Sequence, residues 1–374
     1  MTRSTAPSRR RRWEFTAPEL ARGAMRVVSV HGLLVLLIIV FVIFSVAMPS
    51  TFFTAFNIRS ILSDKFIVAL VGLAEMIVVA ANQFDLSVGY GIGLGQILAV
   101  GLQTRQHLPW PVAAIAVMLI GLAIGVVNGL LVTRAHIDSF IATLGTGTFV
   151  YGISEWYTGG AQIIGNLPHG FQVIAGTVAG IPLPAVYLAV IGIALWVVFE
   201  YLPVGRFLYV LGSNPRAAEL TGISSRRYIL LAFMASGLLT GLAGVVLGSR
   251  LGVGQSSVGP EYLLPAFVGA LLGATSVRPG RPNVWGTILA VLLLGVTVAG
   301  LEQAGAQFYV DSLFNGGMLV LAVGLAGYAA RRRLRLAAAS RAADARPPAS
   351  LPQAAAAGSE PPAQVMGEDS DARR

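Results

Sequence analysis

Few side chains in this chain could carry out chemistry, and the most unusual of them is Glu75. It lies in the middle of the apolar run VGLAEMIVVA, where a charged group costs about 2.5–3.5 kcal/mol in a membrane-inserted helix. A carboxyl group in such a place can line a polar pathway and bind a solute or an ion. It can equally be protonated, or hydrogen-bonded to a neighbouring helix. The sequence favours neither interpretation over the other.

A polar cluster follows Glu75 along the chain, at the junction of two apolar runs. Its amide, hydroxyl and carboxyl groups could contact a polar solute. With Glu75 they form a set of candidate pathway-lining residues: Glu75, Asn82, Gln83, Asp85 and Ser87. The alternative is an ordinary polar turn in which Asp85 caps the helix that follows, since Asp is a favoured N-cap residue.

Enzymatic chemistry has almost no support in the sequence. Lys65 is the only lysine, and the glycine-rich loop ending in Gly-Lys-Ser or Gly-Lys-Thr that holds ATP phosphates is absent. The nucleophile-elbow and zinc-protease motifs are absent too, there is no cysteine, and the four histidines are scattered. We therefore predict no catalytic residue, no metal site and no cofactor in this chain.

Membrane helices are the elements that must position these residues. The chain has 374 residues, of which 55% are hydrophobic and 11% charged, whereas soluble domains carry roughly 25% charged residues. The apolar blocks have about the 20 residues needed to cross a bilayer. The sequence predicts an all-α polytopic membrane protein with about ten transmembrane helices. The candidate spans are residues 29–48, 66–82, 86–102, 110–133, 140–158, 183–202, 228–249, 262–274, 284–301 and 313–330.

The basic residues indicate how these spans are oriented. With the N-terminus in the cytoplasm, the inner loops carry seven arginines and the outer loops carry four basic residues. Cytoplasmic loops usually carry the excess, so both termini are predicted to be cytoplasmic. The four outer residues are Arg59, Lys65, Arg105 and Arg250. Three regions result: a basic segment 1–28, a transmembrane domain 29–330, and a tail 331–374 whose composition predicts disorder.

One polar interlude, residues 203–227, separates two apolar spans on the predicted cytoplasmic side. Its sequence predicts a short capped helix, with Asn214 as N-cap and Pro215 at the first helical position. Gly222 is suited to the left-handed conformation that ends a helix. A helix of about seven residues is roughly 10 Å long, too short to cross a membrane. We expect it to dock against a partner.

Glycines recur at helical spacing in the fourth span and alternate with other residues in the third. Gly121, Gly125 and Gly129 share one face of the fourth span, which permits close approach of another helix. In the third span, alternate residues from Gly89 to Gly95 are glycine. Alternating glycines weaken a helix, so this span could be broken and line a cavity.

Six separated segments of the chain form a recognisable set: DLSVG from Asp85, NGLLV from Asn128, FIATLG from Phe140, GSNPRAAELTGI from Gly212, SGLLTGLAG from Ser236 and VWGTI from Val284. Together they resemble the permease subunits of bacterial ABC importers of the ribose/monosaccharide class. The resemblance covers roughly residues 60–328, and the segments occur in the family's order. The chain departs from the family pattern at NQF before Asp85, at Asp138-Ser139 and in GATSVRPGRP from Gly273. These departures bear on the solute rather than on the fold.

The resemblance implies a permease paired with a second permease chain, as a homodimer, around a central pathway for a sugar. It also implies a cytoplasmic ATPase subunit that hydrolyses the ATP and an extracytoplasmic solute-binding protein. The capped helix would be the coupling helix that docks in a groove of the ATPase. Its residues are Asn214, Pro215, Arg216, Ala217, Ala218, Glu219, Leu220, Thr221, Gly222 and Ile223.

Two other classes of function stay open at this point. The first is a gradient-driven secondary transporter of a small polar solute, with Glu75 or Asp85 as a proton relay. The second is a membrane scaffold or enzyme, for which the sequence offers no set of residues.

Overall fold

The computed structural model describes residues 17–324, with side chains from His31 onward, and this part of the chain is almost entirely helical. The predicted tail 331–374 and most of the basic segment 1–28 lie outside the described residues. Within 17–324 the helices are α1 (Ala17–Ala47), α2 (Ala55–Ala80), α3 (Ser87–Thr104), α4 (Trp110–Thr133), α5 (Ser139–Thr158), α6 (His169–Gln172), α7 (Leu183–Tyr201), α8 (Pro203–Ser213), α9 (Pro215–Leu220), α10 (Ser225–Leu251), α11 (Leu263–Gly273), α12 (Val284–Gln303) and α13 (Tyr309–Gly324).

Short strands and 3₁₀ turns occupy the connections between these helices. The strands are β1 (Ile163–Ile164), β2 (Thr177–Val178), β3 (Ile181–Pro182) and β4 (Val253–Gly254), and the 3₁₀ helices are Val173–Ala175 and Ser256–Tyr262. β2 and β3 form a small hairpin, whereas β1 pairs antiparallel with the distant β4.

Each of the ten predicted spans coincides with a helix in the described residues: α1 to α5, α7, and α10 to α13. Four of them, α4, α7, α10 and α12, are long and apolar enough to cross a bilayer alone. Large apolar side chains on α1, α4 and α7 are exposed, as expected for helices that face lipid. The chain is therefore an all-α, multi-pass membrane protein; the number of crossings stays a prediction.

The core forms around α2 and α10. The C-terminal half of α2 is buried on all sides, and Leu70, Leu73 and Met76 are fully inaccessible to solvent. α10 packs along α2, α3 and α4. Its contact with α4 is a close backbone approach, because a Cβ atom on Gly121 would lie 2.3 Å from the carbonyl oxygen of Gly237. The prediction that the α4 glycines admit another helix is confirmed.

α3 is continuous, so the prediction of a broken third span is wrong. Its glycines instead make room for neighbouring backbones. A Cβ atom on Gly93 would lie 2.9 Å from the Cα of Gly259, and one on Gly89 would lie 2.6 Å from the Cβ of Leu263. Tertiary packing thus offsets the low helix propensity of glycine.

The irregular stretch lies just before the eighth span, which the sequence predicts at 262–274 and which α11 covers almost entirely. The chain leaves α10 through Gly252 in the left-handed conformation and runs along α3 as β4 and the 3₁₀ helix before α11 begins. Gln96, a buried residue of α3, fixes this stretch: its Nε2 donates to the carbonyl of Gln255 (2.7 Å), and its Oε1 accepts from the Gln255 N–H (3.3 Å). We call residues 253–273 the broken span.

Candidate functional site

Asp85 is the centre of a buried polar cluster at the start of α3. Its Oδ1 accepts from the backbone N–H of Ser87 (3.1 Å), the hydroxyl of Ser87 (2.5 Å) and the Nδ2 of Asn128 (3.4 Å). Its Oδ2 accepts from the hydroxyl of Ser236 (2.9 Å). Asp85 is 1% exposed. Four donors on three helices therefore surround one carboxyl group, as expected for a buried polar residue.

Glu75 lies next to this cluster, on the last turns of α2. It is fully buried, and its Oε1 accepts from the backbone N–H of Asp85 (3.3 Å). No arginine, lysine or histidine within 31–324 forms an ion pair with Glu75 or Asp85. Glu75 thus anchors the chain just before α3.

The turn between α2 and α3 is held on its other side by α5. The N–H of Phe84 donates to the hydroxyl of Ser139 (3.1 Å), and the N–H of Leu86 donates to the hydroxyl of Thr143 (3.0 Å). Asn82 has a positive φ of 56°, a conformation that Asn tolerates better than most residues. The turn is therefore fixed by hydrogen bonds from α2, α4, α5 and α10.

The five candidate pathway-lining residues divide into two groups. Glu75, Asp85 and Ser87 are buried inside the single chain. Asn82 is exposed and Gln83 is half-buried, at the tip of the turn. The structure brings all five within one turn and the two helix ends beside it, but it gives only Asn82 and Gln83 access to solvent.

Asn128, Thr143 and Ser236 were not among the predicted site residues, although each of them touches this turn or its carboxyl group. A signal was present, because all three belong to the segments NGLLV, FIATLG and SGLLTGLAG. What these segments share is a place in the same cluster, which spacing along the sequence does not reveal.

The predicted capped helix is present as α9. Asn214 Oδ1 accepts from the N–H of Ala217 (3.0 Å), and Pro215 is the first helical residue. Gly222 has φ of 83°, and the N–H of Ile223 donates back to Ala218 (3.0 Å). This is the Schellman pattern of a helix end, so the predictions for both caps are confirmed.

α9 presents nearly all of its side chains to solvent. Only Ala218 is buried, whereas Leu220 is 84% exposed. A groove of about 310 Å³ lies beside the helix, between Glu219 and Arg226. An exposed leucine next to a polar groove is suited to contact another protein.

α8 was not predicted from the sequence. It begins at Pro203 and buries Leu208 and Leu211 on one face while Arg206 stays exposed. Its far end lies against α2, because a Cβ atom on Gly212 would be 2.3 Å from the carbonyl oxygen of Ala80. α9 therefore follows directly after a helix whose C-terminal end contacts α2 just before the turn that contains Asn82.

A second set of contacts ties α7 and α8 to the turn between α11 and α12. The hydroxyl of Tyr209 donates to the carbonyl of Pro282 (2.7 Å), and the guanidinium of Arg281 lies 5.7 Å from the Tyr209 ring centre. Glu200 and Arg278 form a salt bridge through both terminal nitrogens, Nη1 and Nη2, of the guanidinium group. Burial raises the pKa of Tyr209 to about 12, so its hydroxyl remains a donor at physiological pH. We call these residues the Tyr209 clasp.

No group of three or more His, Cys, Asp or Glu side chains that could hold a metal ion occurs in the described part of the chain. The polar residues form hydrogen-bonded braces rather than a nucleophile with a base. These hydrogen bonds hold the helices in position relative to one another.

Comparison with known proteins identifies the family. The family model described as branched-chain amino acid transport system / permease component matches residues 57–323. The D-allose transport system permease protein AlsC of Escherichia coli (strain K12) is 30% identical over 295 residues, which cover 79% of this chain and 90% of that protein. The ribose import permease protein RbsC of Bacillus subtilis (strain 168) is 35% identical over 294 residues, covering 78% and 89%.

The autoinducer 2 import system permease protein LsrD of Klebsiella pneumoniae is 32% identical over 268 residues, covering 70% of this chain and 80% of that protein. No solved structure matches the chain. The matched family consists of transport permease components rather than enzymes, in agreement with the motifs and their order. The chain belongs to the branched-chain amino acid transport system / permease component family.

Proposed function

We propose that this chain is the permease subunit of an ABC importer that carries a monosaccharide across the cell membrane. The relatives named for ribose and D-allose support a sugar as the solute. The observation that carries the mechanism is α9, a helix with both ends capped and with Leu220 projecting into solvent. Such a helix needs a partner with a groove.

The partner of α9 is a cytoplasmic ATPase subunit, and α9 is the coupling helix. Ala217, Leu220 and Thr221 lie on its exposed side, so they form the face that enters the ATPase groove. The chain has no phosphate-binding loop of its own, and a separate ATPase supplies the energy. A second copy of this chain completes the pathway, and an extracytoplasmic binding protein delivers the sugar.

Within the pathway, Asn82 and Gln83 are the residues that contact the solute or its water. Glu75, Asp85 and Ser87 do not contact the solute themselves. They hold the turn that presents the Asn82 and Gln83 amides to the pathway. This division follows from their burial and from the four donors that occupy the Asp85 carboxyl group.

A substitution at Leu220 tests the coupling role. Leu220→Arg changes a side chain that is 84% exposed, so the fold should be preserved. We expect the tagged variant to lose co-purification of the ATPase subunit and ATP-driven sugar uptake into vesicles. Val178→Arg is the matched control, because Val178 is also exposed, at 55%, but lies in the β2–β3 hairpin of the predicted outer loop.

Association with the ATPase and uptake should both survive Val178→Arg. If they also survive Leu220→Arg, α9 is not the coupling helix. Uptake that persists without the ATPase, driven by a proton gradient alone, would support the secondary transporter instead.

A further inference from the structure

The Tyr209 clasp joins two parts of the protein that are distant in sequence. One side is α7 with α8, and α8 leads directly into α9 through Asn214. The other side is the turn 274–283, which links α11 to α12. The contacts that cross between them are the Tyr209 hydrogen bond, the Arg281 stacking and the Glu200–Arg278 salt bridge. A movement of α8 must therefore strain this turn or carry it along.

The turn 274–283 is rigid because Asn283 ties it together. Asn283 Nδ2 donates to the carbonyls of Gly273 (3.1 Å) and Ser276 (3.0 Å), and its Oδ1 accepts from the N–H of Gly286 (2.8 Å). Asn283 is 7% exposed and is also the N-cap of α12. A turn stabilised in this way transmits displacement rather than absorbing it.

Beyond the turn, α11 and α12 behave as one body. A Cβ atom on Gly286 would lie 2.2 Å from the carbonyl oxygen of Gly273, so the two backbones are in direct contact and cannot slide independently. α11 is the second half of the broken span, whose first half packs on α3 through Gly259 and Gly93. The path from α9 through the clasp thus ends at the broken span.

We propose that the Tyr209 clasp transmits movement of α9 to the broken span, and that Glu200, Tyr209 and Arg278 are positioning residues for transport. The proposal rests on the coupling role proposed for α9. The salt bridge and the Tyr209 hydrogen bond lie outside α9, the helix proposed to enter the ATPase groove. Their role is to make the broken span follow α8, so their loss should uncouple ATP hydrolysis from uptake while the ATPase stays bound.

The experiment uses charge reversal with rescue in the complete importer. Glu200→Arg and Arg278→Glu each place two like charges together, and the double variant restores an opposite pair with the charges exchanged. We expect each single variant to bind the ATPase subunit as the wild type does, but to hydrolyse at least threefold more ATP per sugar imported. The double variant should return this ratio to within twofold of the wild type.

Two further variants separate transmission from folding. Tyr209→Phe keeps the ring and removes only the hydroxyl donor, so the ratio should rise by a smaller factor, with at most a small fall in the midpoint of thermal unfolding. Arg250→Glu is the control. It disrupts the salt bridge between Asp64 of α2 and Arg250 near the C-terminus of α10, two side chains that are 48% and 38% exposed. It should leave the ratio of ATP to sugar unchanged.

The outcomes are distinct from those that test the coupling helix itself. If the wild-type chain fails to bind an ATPase, the proposed function is wrong and the clasp proposal falls with it. If the ATPase binds and both single reversals keep the wild-type ratio, the proposed function stands and transmission through the clasp is refuted. If the double variant is as defective as the singles, the charges act separately, and that also refutes it.

Discussion

Replacing Asp85 by alanine should destabilise this protein more than any other single change in the polar cluster. The carboxyl group accepts from four donors: the Ser87 N–H and hydroxyl, the Asn128 amide and the Ser236 hydroxyl. Asp85→Ala removes the acceptor that these donors share, and only the Asn128 amide keeps another partner, the Ser87 hydroxyl (2.8 Å). Leaving a buried donor unsatisfied costs about 1–3 kcal/mol, and Asp85→Ala leaves several donors without their acceptor at once. We expect a loss at the upper end of that range.

Two milder variants calibrate this value. Ser236→Ala removes one of the four donors and leaves the carboxyl group otherwise satisfied, so it should cost about 1–2 kcal/mol. Asp85→Asn keeps an oxygen where three donors converge and turns an NH₂ group toward the Ser236 hydroxyl, which can accept as well as donate. We expect Asp85→Asn to cost no more than Ser236→Ala.

Thermal unfolding of the purified protein in detergent measures the three variants, and ATP-driven sugar uptake gives the functional readout. The expected order of destabilisation is Asp85→Ala first, with Ser236→Ala and Asp85→Asn well behind. Uptake by Asp85→Asn should remain within a few-fold of the wild type, because a brace needs the hydrogen bonds and not the charge. Full stability with abolished uptake in Asp85→Asn would show instead that the charge itself acts in the pathway, and would refute the bracing role.

Two other predictions concern the packing of the helices. Gly121→Ala should destabilise the protein by about 1–3 kcal/mol through overpacking, because the new Cβ would lie 2.3 Å from the carbonyl oxygen of Gly237. Gly152→Ala in α5 is the control and should be neutral or stabilising, because its Cβ would have no atom within 4 Å. Equal unfolding temperatures for the two variants would contradict this account. Gln96→Ala removes both hydrogen bonds to Gln255, so hydrogen exchange of residues 253–262 should increase while that of α4 is unchanged; unaltered exchange in 253–262 would show that β4 pairing alone holds the broken span.

The parts of the fold that the sequence predicts well are those governed by local rules. Apolar blocks of about 20 residues locate the spans, and the caps of α9 follow from Asn214, Pro215 and Gly222. α8 escaped prediction because it is an amphipathic helix of only 11 residues that lies on other helices, and its buried residues Leu208 and Leu211 lie three positions apart on one face. A search for apolar runs does not detect such a helix.

The parts that could not be predicted depend on contacts between distant segments. The glycines of α3 suggest a weak helix when considered locally, but Gly89 and Gly93 are occupied by the backbone of the broken span. Likewise, Glu75 is equally compatible with a pathway or a brace until the Asp85 N–H is found against its carboxyl group. In both cases the partner lies far along the chain or on another helix, and no spacing rule identifies it.

The convergence of the matched segments on one turn explains why the fold needs them together. The turn of Asn82 and Gln83 is fixed by Asp85 within DLSVG, by Asn128, by Thr143 and by Ser236, each from a different segment. The segment that contains α9 begins at Gly212, whose position against the Ala80 carbonyl oxygen leaves no room for a side chain.

α8 therefore contacts the end of α2, just before the Asn82 turn, and through Tyr209 it contacts Pro282 in the turn that follows the broken span. A displacement of α9 reaches both at once. The Asn82 turn is hydrogen-bonded to four helices, whereas residues 253–262, the first half of the broken span, are hydrogen-bonded to other segments through Gln96, Gln162 and the pairing of β4 with β1. This first half should therefore yield first. The turn then acts as the fixed point against which the broken span moves.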